Sequence, residues 1–277
     1  MSSFVLHLFR ALSALPLALL HAFGWPLGWF SFLLSPRYRR RLLTHAALAG
    51  VPRRQALASV AEAGKLVTEL PRLWLGRPVP VFWEGAEHIE AALADGEGLL
   101  FLTPHLGCFE ITAQAYAARF GGRHPMTVLF RPARQPWLRD LVAGARQRPG
   151  LRTAPTTLAG VKQLLKALKS GEAVGLLPDQ VPPMGQGVWA PFFGRDAYTM
   201  TLSARLAQAG PVRVMLSWGE RLSWGRGYVV HVRAMGEVLS HDPLQAAVQI
   251  NRAMESLVRE SPTQYLWSYD RYKAPRE

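Results

Sequence analysis

Past Gly76 the chain alternates short apolar runs with stretches in which apolar residues recur every three to four positions. The runs 99–103, 126–130, 173–177, 212–217 and 228–234 read as strands. The stretches 86–94, 109–119, 136–147, 157–169, 198–209 and 243–259 read as helices. Strands separated by helices of this length predict βαβ units. The expected fold is therefore α/β, a mixed central sheet flanked by helices.

The first 75 residues carry a different pattern. Residues 11–34 contain no Asp, Glu, Lys or Arg, and about 20 such residues cross a bilayer core. A retained N-terminal membrane anchor is expected. Pro16 and Pro26, with Gly24 and Gly28, argue against one straight helix and leave a kinked span or a re-entrant interfacial pair open. The cluster Arg37-Tyr38-Arg39-Arg40-Arg41 follows at once, against Arg10 alone on the other flank, which predicts a cytoplasmic main domain. A cleaved signal peptide is the competing reading, and no small-x-small cleavage site supports it. From 38 to 75 the spacing is helical, with Pro52 dividing two helices and Pro71 near the end of the second. The basic face of the first suits lipid headgroups. The expected division is an anchor over 1–36, a basic membrane-proximal helical segment over 37–76 and an α/β domain over 77–277.

The net charge of the 277-residue chain is +13, carried mostly by Arg, which points to anionic partners. Nucleic acid is the weaker choice, because the basic residues are scattered without zinc-finger spacing or an aromatic RNA-binding signature. A membrane fits better with nine Trp. The single Cys108 excludes an intrachain disulfide and a Cys-based zinc site. No GxGxxG, Walker A or GxSxG sequence occurs, which disfavours dinucleotide, P-loop and serine-hydrolase chemistry. No metal or cofactor is expected.

Candidate chemistry lies where predicted strands end, the usual ligand position in open α/β sheets. His105-Leu106-Gly107-Cys108-Phe109-Glu110 follows the first apolar run. There an imidazole can take a proton from a hydroxyl, and a carboxylate five residues on could fix its tautomer. Three further clusters occupy similar places: Phe130-Arg131-Pro132, Arg146-Gln147-Arg148-Pro149-Gly150 and Leu177-Pro178-Asp179-Gln180. Each has a plainer explanation, respectively a structural histidine, surface ion pairs, complements to a helix dipole and a turn former. Convergence on one end of one sheet is what favours a site. Cys108 is a rival nucleophile for a thioester intermediate, although Leu106 and Phe109 beside it suggest a buried filler.

The ordered blocks TPHLGCFE, LFRPARQPWL, ARQRPG, Leu168-Lys169-Ser170-Gly171-Glu172, LPDQ, APFFG and Gln264-Tyr265-Leu266-Trp267 with Arg271-Tyr272-Lys273 resemble the bacterial lipid A late acyltransferases. These are the lauroyl and myristoyl transferases of the lysophospholipid acyltransferase superfamily. The resemblance spans about residues 80 to 275 and the N-terminal anchor. It implies a glycerolipid acyltransferase-like fold, with His105 and Glu110 as catalytic residues. Arg131, Arg146, Arg148 and Asp179 would bind substrate or the oxyanion. It further implies acyl carrier protein as donor, a lipid A precursor as acceptor and residence at the cytoplasmic face of the bacterial inner membrane. Phe130 stands where Tyr is often found, and Ser268-Tyr269-Asp270-Arg271 where some members are more basic. Acyl-CoA would be served by the same charges. The alternatives are an acyltransferase acting on a lysophospholipid or glycolipid, and a membrane lipid-binding protein without turnover.

Overall fold

In a computed structural model, residues 2–130 and 148–276 are described. Five helices come first: α1 (Ser2–Ser13), α2 (Leu17–Leu34), α3 (Pro36–Leu48), α4 (Arg53–Thr68) and α5 (Leu70–Leu75). Then come β1 (Val81–Glu84), α6 (Ala86–Ala94), β2 (Gly98–Leu102), α7 (Phe109–Arg119) and β3 (Met126–Phe130). After residue 147 follow β4 (Leu151–Pro155), α8 (Leu158–Lys169), β5 (Ala173–Leu176), β6 (Gly187–Phe192), β7 (Arg195–Met200), α9 (Leu202–Ala207), β8 (Val212–Arg221), β9 (Tyr228–Ala234) and α10 (Pro243–Glu260).

Seven strands form one sheet in the order β1-β9-β8-β2-β5-β3-β4. Its pairs are parallel except β8 with β9, which makes the sheet mixed. The central strand β2 is apolar throughout because both of its faces are covered. Leu100 and Leu102 enter one core with Leu164 and Leu168 of α8 and Ile250 and Met254 of α10. Leu99 and Phe101 enter the other with Ile89 of α6 and Ile111 and Tyr116 of α7.

The structure differs from the sequence expectations at four places. β1, β4 and β6 lie outside the expected strands; β1 and β4 are the two edge strands of the main sheet, short and partly exposed, and β4 ends on Pro155. Residues 195–200 pair antiparallel with β6, so the helix expected over 198–209 begins only at Leu202. Pro71 opens α5 rather than closing α4, the position where a missing N–H costs nothing. Pro16 precedes α2, which then runs as one helix through Pro26. The expected helix over 136–147 lies outside the described residues.

α2 is long and apolar enough to cross a membrane, yet a third of it is buried within the protein. Leu17, Leu20, His21, Gly24, Gly28 and Phe32 face inward, largely onto α4. The approach is close enough to require glycine. A Cβ on Gly64 would lie 2.0 Å from the Gly24 carbonyl oxygen, and one on Gly28 2.0 Å from that of Val60. The other face of α2 exposes Leu19, Phe23, Leu27, Phe30, Leu33 and Leu34.

Beneath this seam lies a buried ionic cluster. Arg221 at the end of β8 donates from Nε and Nη2 to the two Glu69 oxygens at 2.7 and 2.6 Å, and from Nη1 to Glu62 at 2.8 Å. His21 of α2 lies 3.0 Å from Glu69, and Tyr228 donates to it at 2.8 Å. Glu69, with its ends thus satisfied, can be fully buried as a charge.

Candidate active site

β2 and β5 are parallel neighbours with Leu102 opposite Leu176. Thr103 continues the ladder by donating its N–H to the Leu176 carbonyl at 3.0 Å. His105 and Asp179 each lie three residues beyond that register pair, so the two strand ends deliver them side by side. Imidazole Nδ1 lies 2.7 Å from Asp179 Oδ1, and the His105 backbone N–H donates to Oδ2 at 2.9 Å. Tyr265 donates its hydroxyl to the same Oδ2 at 3.2 Å. Burial pushes the Asp179 carboxyl upward, but the facing His105, its two hydrogen bonds and Arg271 outweigh that and hold it below its ordinary value. Asp179 is thus an anion, and it fixes a proton on imidazole Nδ1. Nε2 then carries the lone pair, and the Gln180 amide nitrogen sits 2.9 Å from it as donor.

Rings hold the imidazole on its other sides. Tyr269 lies parallel to it, with centroids 6.3 Å apart and 6° between planes, and Phe109 meets it edge-on at 4.9 Å. The His105 loop is stitched to its surroundings by backbone bonds. Gly107 donates to Gln264 O at 2.9 Å, Cys108 to Gly219 O at 2.8 Å, and Leu266 donates to His105 O at 3.1 Å. Gly107 has φ +60°, and a Cβ there would fall 2.0 Å from the Gly219 carbonyl oxygen, so only glycine fits. Arg221 also reaches the Gly107 carbonyl, at 3.3 Å. The C-terminal segment closes the site: Asp270 pairs with Arg41 of α3, and buried Arg271 donates to Tyr198 O and Thr199 Oγ1, each at 2.7 Å.

Residues 2–274 match the family described as bacterial lipid A biosynthesis acyltransferase. The chain belongs to this family. A lipid A biosynthesis acyltransferase of Haemophilus influenzae is 31% identical over 184 residues, 66% of this chain and 56% of that protein. The lipid A biosynthesis lauroyltransferase of Escherichia coli is 25% identical over 275 residues, 95% of this chain and 88% of its own length. The myristoyltransferase of that organism is 25% identical over 252 residues, covering 87% and 77% of the two chains. The family's members are enzymes that transfer acyl groups.

In this acyltransferase-family chain the carboxylate at the imidazole is Asp179, whereas the five-residue spacing pointed to Glu110. The reason is geometric. His105 leaves the loop toward β5, while Glu110 sits in the first turn of α7, near the positive helix end. There Glu110 is buried and accepts from Trp74 Nε1 at 3.3 Å. Arg148 is close enough to feel its charge: burial holds the guanidinium below its ordinary pKa, and Glu110 opposes that. Arg148 itself donates to the Leu73 and Trp74 carbonyls at the end of α5. The structure therefore forms two neighbouring groups, His105–Asp179–Gln180 and Glu110–Trp74–Arg148. Arg131 and Arg146 lie outside the described residues.

Cys108 is completely buried. Burial first, then the Glu69 charge, push its thiol well above the ordinary value, with Arg221 opposing, so it carries no thiolate for nucleophilic attack. Sequence reading gave no roles to Gln180, Tyr265 and Tyr269, although the blocks containing them were visible. Behind Phe109, between α7 and the sheet, a small apolar cavity of about 40 Å³ is lined by Phe101, Tyr116, Met126, Val128, Gly175 and Val230 among others.

Proposed function

We propose that this protein is a membrane-bound enzyme that moves a fatty acyl chain from acyl carrier protein to a hydroxyl of a lipid A precursor. The observation that carries the reading is the placement of the His105 imidazole. Its Nδ1 lies 2.7 Å from the buried Asp179 carboxylate, and its Nε2 lies 2.9 Å from the Gln180 amide, which a substrate hydroxyl would displace.

In this mechanism the acceptor hydroxyl takes the place of the Gln180 amide at Nε2. His105 accepts its proton as the oxygen attacks the thioester carbonyl carbon, and Asp179 stabilises the imidazolium that forms. The tetrahedral oxyanion collapses by breaking the C–S bond, and the departing thiolate takes the proton back from His105. An ester and a free thiol result, with no acyl-enzyme and no metal or cofactor in the sequence of steps. Arg131 and Arg146 are assigned to the oxyanion or a substrate phosphate, for which the planar guanidinium is suited. Glu110 and Arg148 form the polar rim beside Trp74. The acidic donor protein would meet the net +13 surface favourably.

The proposed location is the inner membrane, with the catalytic domain on its cytoplasmic face. Support comes from the exposed apolar face of α2 and from the arginines of α3 that follow it. Mass spectrometry of membrane lipids from cells with and without the protein tests the proposal. One added acyl chain on lipid A is expected. A change confined to glycerophospholipids or another glycolipid moves the acceptor elsewhere, and no change in any lipid refutes acyl transfer.

A further inference from the structure

Along one edge of α2 the seam with α4 opens into a groove of about 540 Å³ that faces solvent. Trp25 and Trp29, with ring centroids 6.2 Å apart, form one wall. Leu57, Ala58 and Ala61 of α4 form the floor, and Arg53 and Arg54 close one end. Both arginines are exposed. The acidic groups that could neutralise this end are engaged elsewhere: Glu62 with Lys65 and Arg221, and Asp270 with Arg41. Arg37, Arg39 and Arg40 add to the positive charge at the start of α3.

The groove therefore pairs an indole wall with two cations. Trp25, with 55% of its surface exposed, continues onto the exposed face formed by Phe23, Leu27, Phe30 and Leu33. A soluble peptide or a nucleic acid would leave that apolar face in water. A lipid covers both parts: its phosphate meets Arg53 and Arg54, and its chain runs along the tryptophans. Indole rings favour this headgroup depth, and arginines near an anionic leaflet add electrostatic attraction.

We propose that this groove binds an anionic phospholipid of the membrane in which the protein resides, separately from the His105 site. The inference rests on the seating of α2 in the membrane proposed above.

The test uses the purified full chain and flotation with two kinds of vesicle, phosphatidylcholine alone and phosphatidylcholine mixed with phosphatidylglycerol. Four proteins are compared. They are the wild type, the double variant Arg53→Glu/Arg54→Glu, the groove-filling Ala58→Trp, and a charge control, Lys162→Glu/Lys166→Glu, on the distant exposed face of α8. The wild type is expected to bind anionic vesicles at least about tenfold more tightly than neutral ones. The double variant and Ala58→Trp should each lose most of that preference, while the charge control keeps it. Ala58→Trp is decisive, because it changes shape and leaves charge alone.

A wild type with no preference overturns the proposal, as does an Ala58→Trp variant that keeps the full preference. So does competition by millimolar inorganic phosphate that abolishes the preference, which would leave a simple anion site. Failure of every protein to bind either vesicle would instead refute the membrane seating on which the inference depends.

Discussion

Asp179 holds His105 at two points, through the imidazole Nδ1 at 2.7 Å and through the backbone N–H at 2.9 Å. One carboxylate thereby sets both the tautomer of the ring and the path of the loop that carries it. Removing its charge should leave the loop bond largely intact while withdrawing support for the imidazolium. Asp179→Asn is expected to lower kcat by about 10²- to 10⁴-fold with little change in KM. Steady-state kinetics together with an unchanged circular dichroism spectrum would establish it.

The separation of the two carboxylates gives a second prediction. Nitrogen-15 NMR of the histidines should find the Nδ1–H form of His105 preserved in Glu110→Gln. In Asp179→Asn it should become a mixture of tautomers. If Glu110→Gln is the variant that scrambles the tautomer, the pairing is wrong.

This pairing was only half legible in the sequence. The apolar runs mark β2, β3, β5 and β9 to within a residue and the first six residues of β8, because buried strands leave a strong signal. His105 and Asp179 were both visible as residues just past strand ends. Their contact was not, since it depends on β2 and β5 being neighbours in register, a tertiary fact absent from local spacing. Local spacing and the family resemblance both point to Glu110, yet its place at a helix start turns it toward Trp74. Gln180, Tyr265 and Tyr269 act through geometry that no pattern encodes. The edge strands β1 and β4 give a weaker signal: the apolar run of β1 is only three residues, and β4 has none.

The buried cluster around Arg221 predicts an acid dependence of stability. Burial pushes the Glu69 carboxyl up, but Arg221, through charge and hydrogen bonds, and His21 bring it down to about 2. The native value lies below the ordinary 4.5, so the unfolded chain binds the proton first as pH falls. Its contribution is complete above about pH 4.5 and fades as the pH drops toward 2. Thermal melts from about pH 6 to about pH 3 should show Tm falling in the wild type. Glu69→Gln, less stable at neutral pH, should show a flatter profile over that range.

The central claim is that His105 activates the acceptor hydroxyl, and single-turnover acyl transfer by His105→Ala tests it most directly. The purified variant, given an acyl-loaded carrier protein and a lipid A precursor, should form product at least about 10²- to 10⁴-fold more slowly than the wild type. Its fold and vesicle binding should be unaltered. Product formation at a near-normal rate would contradict the account.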